Sequence, residues 1–204
     1  MTDGEAARRT PRQRRGEQRV EEILDAAALV FGEVGYEAAT TNAIAARAGA
    51  SIGSLYQFFR NKDEVMRALA GRYNAQLREI YDHVYTPESM TLPLPLLIDR
   101  LIDPLVTFCE DNAGFERLFA SASLGNIEDD DLDGVGRERL ERLFLARART
   151  HDPAQAALTT RVCVLTVSAL LGTIKNGPSP DQQRLIAEFK RLLVAYLTPL
   201  FDPR

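Results

Sequence analysis

The chain has 204 residues, 45% of them hydrophobic and 26% charged, and a net charge of −4. That is enough for one large domain or two small ones around a real core. A membrane protein is not expected: the longest apolar stretch, 162–171, is interrupted by Thr166 and Ser168 and falls short of the roughly 18–20 residues a spanning helix needs.

Residues 1–16 lack periodicity and are rich in Arg, Gly and Pro, which predicts a flexible basic arm. No apolar segment follows the arginines as in a secretory signal, so a cytoplasmic protein is expected. The run "RRTPRQRR" carries Arg8, Arg9, Arg12, Arg14 and Arg15 with no acid, and residues 40–60 also lack Asp and Glu. The acids gather in 17–37 and in the C-terminal two-thirds. A negative average therefore leaves room for a polyanionic partner, because affinity depends on local phosphate contacts.

From residue 17 a helical period sets in. Val20, Ile23, Leu24, Ala27, Phe31 and Val34 share one stripe, and Gly35 ends it. Thr40 caps a short helix that turns Ile44, Ala45 and Ala48 inward, with Gly49 as a left-handed stop. Ser51 caps the next, which turns Leu55 and Phe59 inward. Two short helices around a tight glycine turn read as a helix-turn-helix. Asn61, with Glu64 three residues on, opens a long helix through Ala68, Tyr73, Leu77 and Ile80 to about residue 85.

A connector, "TPESMTLPLP", leads to a helix over 94–111 that Pro104 kinks or breaks. A shorter helix covers 113–123, and "LGNIEDDDLDG" reads as an exposed loop. Helices follow over 135–150, from Pro153 to about residue 175, and over 181–200. No strand-like alternation occurs. The expectation is an all-α protein of about nine helices, three in a front module and six behind. The expected boundaries are 1–16 for the arm, 17–62 for the helix-turn-helix domain and 63–204 for the body.

If the second helix of the motif enters a DNA major groove, the composition of its front is explained. Ser51, Gly53 and Ser54 are small enough for close approach to phosphates. Tyr56 can offer its hydroxyl to a phosphate, and the Gln57 amide suits adenine N6 and N7. Lys62, and Thr40 or Thr41, can add phosphate contacts. Spacing alone leaves a plain connector in a helical bundle open as the other reading.

At this point "TTNAIAARAGASIGSLYQFFRNKDEVMRAL", preceded by "ILDAAALVFGEVGYEAAT", resembles the N-terminal domain of the TetR family of transcriptional regulators over about residues 18–70. The matching set includes Phe31, Gly35, Tyr36, Thr41, Ile44, Ala48, Gly49, Leu55, Tyr56, Phe59 and Lys62. Ala50 stands where the family usually has valine, Ser54 where threonine is common. The resemblance implies a homodimer on a palindromic operator in double-stranded DNA, its last two helices forming a four-helix bundle with those of a second copy. It also implies a small-molecule effector, held among the middle helices, that releases the DNA.

In the sequence, Leu185, Phe189, Leu192 and Tyr196 make one apolar seam, and Val162, Leu165, Leu170 and Ile174 make the preceding helix apolar nearly all round; both are candidates for the dimer interface. Tyr81, Phe108, Cys109, Phe115, Phe119, Phe144 and Val164 lie on the helices that would line an effector pocket, with Arg100, Glu110 and Lys175 as possible polar members. Such a pocket suggests an apolar or amphipathic effector.

No chemistry for an enzyme is visible. The two cysteines, Cys109 and Cys163, lack metal-ligand spacing and read as buried thiols. His83 and His151 have no nucleophile partner, and "EDDDLD" lacks the glycine and terminal Glu of a calcium loop. "GVG" at 134–136 is too short to mean anything. No metal or cofactor is expected. The runner-up function is a dimeric helical sensor or adaptor acting through protein partners.

Overall fold

The computed structural model describes residues 11–112, 115, 134–147, 152–174 and 179–201. Among these the chain is all-helical, with eight α-helices: α1 (Pro11–Ala38), α2 (Thr41–Arg47), α3 (Ile52–Tyr56), α4 (Lys62–Val84), α5 (Leu94–Asp111), α6 (Gly134–Arg147), α7 (Pro153–Leu171) and α8 (Pro180–Phe201). A short 3-10 helix, Ser89–Thr91, interrupts the connector before α5. The helix expected over 113–123, the acidic loop, His151, Phe119 and Lys175 lie outside the described residues.

Two compact units meet between Leu69 and Ala70, inside α4 rather than at residues 62 and 63. The first unit holds α1, α2, α3 and the start of α4. Its core is Ile23, Leu24, Ala27, Phe31, Ile44, Leu55, Phe59, Val65 and Leu69, all buried. Val34, expected on this inward stripe, is 52% exposed. It sits in the last turn before Gly35, where the helix kinks. Gly35 takes φ 79, ψ 165, a conformation essentially confined to glycine. The expected flexible arm is also corrected for residues 11–16. They extend α1, which begins at Pro11.

The second unit runs from Ala70. Here α5 packs along α8 and α6 along α7, with α7 also against α8 and α5. Pro104 neither ends nor interrupts α5. Gln182 Nε2 donates to Glu110 Oε1 at 2.9 Å, and Lys190 donates to Asp99 at 2.9 Å and to Asp103, tying α8 to α5. Burial alone would lower the Lys190 pKa, but the two carboxylates more than offset it and hold the ammonium above its ordinary range. Tyr73, Phe108 and Phe115 meet edge to face, with ring centroids 4.7–5.9 Å apart.

One sequence expectation fails at α7. Its 19 residues make a helix long and apolar enough, by length and composition, to cross a membrane. The interrupting hydroxyls are satisfied within the helix: Thr166 donates to the Val162 carbonyl and Ser168 to that of Val164, both at 2.8 Å. Seven of its residues, Ala156 to Leu171, are buried against the rest of this chain.

Candidate nucleic-acid interface and effector cavity

Local chemistry fixes the two short helices. Thr40 Oγ1 accepts from the Ala43 N–H and Ser51 Oγ from the Ser54 N–H, both at 3.1 Å, so each helix starts at a side-chain cap. Gly49, at φ 60, supplies the left-handed turn between them. Leu55 is 0% and Phe59 7% exposed, anchoring α3 on the core. The opposite side is open: Tyr56 is 51% exposed, and Ser51, Gly53 and Gln57 are also exposed, with Ser54 half-buried.

Thr41 and Tyr56, from different helices, share a hydrogen bond between their hydroxyls at 3.3 Å. Two side chains singled out as phosphate contacts thus sit at one point of the surface. Ile52 and Phe58, which the sequence did not single out, are also exposed, at 36% and 37%.

Lys62 departs from its expected place as a simple phosphate ligand. It is half-buried, and its Nζ donates to the Tyr36 carbonyl at 2.7 Å and the Glu37 carbonyl at 3.2 Å. The ammonium also lies 4.3 Å from the Tyr36 ring centroid. It closes the carbonyl end of α1, where a cation is favoured. The Tyr36 hydroxyl donates to Asp63. Burial, then that carboxylate, pushes the phenol up to about 12. The acid-free stretch 40–60 is not acid-free in space: Arg47 makes a two-pronged pair with Glu33 of α1 at 2.9 and 2.7 Å. That hydrogen bond holds the Glu33 carboxyl below its usual range.

In the second unit a cavity of about 70 Å³ opens among α4 to α8. Three of the expected residues line it, Tyr81, Phe144 and Val164; Tyr85, Ile98, Cys163 and Leu197 also contribute. The described lining contains no Asp, Glu, Lys, Arg or His. Burial pushes the Cys163 thiol up to about 12, so it sits there as a neutral, apolar group. Phe108 and Phe115 are corrected: they belong to the edge-to-face cluster around Tyr73. Cys109 is buried and does not reach the cavity either. Arg100 donates to the His83 carbonyl at 3.1 Å, and Glu110 is taken up by Gln182.

The apolar seam of α8 divides as its period requires. Leu193, Leu197 and Phe201 are buried, while Leu185 and Leu192 are 37% and 54% exposed, with Phe189 and Tyr196 half-buried beside them. On α7, Leu165 is 48% exposed and Val162 half-buried. Leu158, which sequence reasoning passed over, is 55% exposed and continues the same stripe one repeat earlier. Leu170 and Ile174 are corrected from interface to core, at 0% and 4% exposure. An all-round apolar helix gives no polar face from which to orient it.

Two family descriptions match. Residues 23–69 match "Bacterial regulatory proteins, tetR family" and residues 93–197 match "Tetracyclin repressor-like, C-terminal domain". An HTH-type transcriptional regulator of Mycobacterium tuberculosis is 30% identical over 153 residues, 72% of this chain and 71% of that one. The HTH-type transcriptional repressor AcnR of Corynebacterium diphtheriae is 30% identical over 132 residues, 55% of this chain and 70% of its own. Among solved structures, a TetR-family transcriptional regulator from Streptomyces coelicolor is 28% identical with a TM-score of 0.58, covering 90% of this chain and 99% of that one.

Proposed function

The chain belongs to the tetR family of bacterial regulatory proteins and is a helix-turn-helix transcriptional regulator, not an enzyme; from that premise we propose that it is a cytoplasmic repressor, released from a palindromic operator by a small apolar or amphipathic effector. One observation carries the DNA-facing half: Tyr56 on α3 and Gln57 at its C-cap are exposed, while Leu55 of the helix and Phe59 just beyond it are buried. A helix held that way can enter a major groove front first. In this reading Thr41, Tyr56 and the capping hydroxyls of Thr40 and Ser51 meet phosphates, Gly53 and Ser54 permit close approach, and Gln57 reads a base. Lys62 acts mainly by holding α1 to the start of α4.

The outward stripes of α7 and α8, Leu158, Val162, Leu165, Leu185, Phe189, Leu192 and Tyr196, are the proposed dimer face. A second copy there would bring two recognition helices to half-sites about 34–36 Å apart. Tyr81, Phe144 and Val164 are the proposed effector contacts. An effector that binds better to the dimer state with mismatched spacing lowers DNA affinity by its differential binding, typically ~1–3 kcal/mol. That AcnR is named a repressor supports the sign of regulation proposed here.

The test is a gel shift with the intergenic DNA beside the chain's own coding sequence. A shift that survives excess unrelated DNA, and that Gln57→Ala alters in sequence preference, is expected. A protein that binds this DNA no better than random duplex would end the operator reading.

A further inference from the structure

Small-molecule sites usually occupy ~300–1,000 Å³, whereas the cavity of the second unit measures about 70 Å³. An effector of ordinary size therefore requires a wall to move. One wall is built differently from the others. Gly136, near the start of α6, is buried against Tyr81 of α4. A Cβ at this position would lie 2.6 Å from Tyr81 Oη, 2.7 Å from Cζ and 2.8 Å from Cε2.

Gly136 does not use the backbone freedom of glycine, since its φ is not positive. Within a helix glycine is less favourable than alanine. What the position gains is space for a ring. That ring is 9% exposed and meets Tyr85 at 5.9 Å between centroids. Next to it Asp82 accepts from Arg139, one turn beyond Gly136, at 2.6 Å, so α4 and α6 are pinned together at this point. Other parts of the wall, such as Ile98, Leu193 and Leu197, are aliphatic side chains buried in the core.

We propose that Gly136 and Tyr81 form the movable wall of a chamber for an uncharged, apolar ligand: the Tyr81 ring rests on the bare glycine when the chamber is closed and swings off it when the ligand enters. The proposal rests on the reading that this chamber is the effector site. The ligand is uncharged because the described lining offers no ionic partner, and an ion buried without one carries a prohibitive desolvation cost.

Two dyes with the same ring system separate the possibilities: N-phenyl-1-naphthylamine, which is neutral, and 8-anilinonaphthalene-1-sulfonate, which is anionic. Each is titrated by fluorescence into the full chain and into Gly136→Ala, Tyr81→Leu and Val164→Trp, with circular dichroism confirming the fold. The wild type is expected to bind the neutral dye at least tenfold more tightly than the sulfonate. Gly136→Ala and Tyr81→Leu are each expected to tighten the neutral dye at least threefold, because the closed resting place or the ring itself is gone. Val164→Trp fills the chamber and is expected to abolish the signal.

Unchanged affinity in Gly136→Ala overturns the movable wall while leaving the chamber as effector site; that variant decides alone if Tyr81→Leu does not fold. Equal or tighter binding of the sulfonate overturns the uncharged class. Dye binding that survives Val164→Trp, or no binding to any variant, removes the chamber reading and the proposal with it.

Discussion

Helix α3 is five residues long and α7 nineteen, and they differ in what their side chains are. In α3 the side chains proposed to meet DNA are polar, and only Leu55 of the helix itself is buried, with Phe59 just beyond it. In α7 thirteen of the nineteen side chains are apolar. One side faces the cavity through Cys163, Val164 and Val167, and another leaves Leu158 and Leu165 at the surface. A short helix has no stability of its own, so α3 depends on caps and anchors. A long apolar helix is stable wherever it is covered, so α7 depends on what covers it.

The largest test of this contrast is Leu55→Ala. The side chain is 0% exposed, and such a truncation costs about 2–5 kcal/mol. Because α3 has few other contacts, the expected outcome is a loss of specific DNA binding by more than tenfold in fluorescence anisotropy. Dye binding in the second unit should be unchanged. If DNA affinity is retained, α3 is not held by its buried side and the contrast breaks.

The next test concerns the outer face. Leu192 is 54% exposed in the single chain, so Leu192→Glu should leave the folding of one copy intact. In a dimer it would put a carboxylate into an apolar contact. The expected result in sedimentation is a dimer dissociation constant raised about a hundredfold, or ~2.7 kcal/mol. An unchanged association state would place the partner elsewhere.

These two tests also mark what the sequence made legible. The motif could be read because its signals are local: Thr40 and Ser51 cap within three residues, and Gly49 turns the chain between them. The fold class and the later helices followed from periodicity in the same way. The cavity could not be read so well, because its wall comes from several helices far apart in sequence. Periodicity says that Phe108 and Phe144 both point inward, but not that one meets Tyr73 and the other the cavity. The same limit hid Lys62, whose partners are carbonyls 25 and 26 residues away. It also hid Gly136, whose meaning lies in the ring opposite it.

The smallest expected effect lies where α1 is fastened to the start of α4. Tyr36 donates to Asp63 and lies beneath the Lys62 ammonium. Its phenol is raised from 10.0 to about 12, first by burial and then by the carboxylate. The folded state thus holds a proton that the unfolded chain gives up earlier. That stability is fully present below pH 10, and it is lost as pH rises from about 10 toward 12. The site is partly open to solvent, so screening keeps the effect small. Tyr36→Phe removes the ionising group together with its hydrogen bond. The variant should be slightly less stable than wild type at pH 8 in urea unfolding, and the gap should narrow between pH 10 and 12. A gap that widens over that range would mean that the phenol is favoured in its ionised form by the nearby ammonium. The fastening would then rest on Lys62 rather than on Asp63.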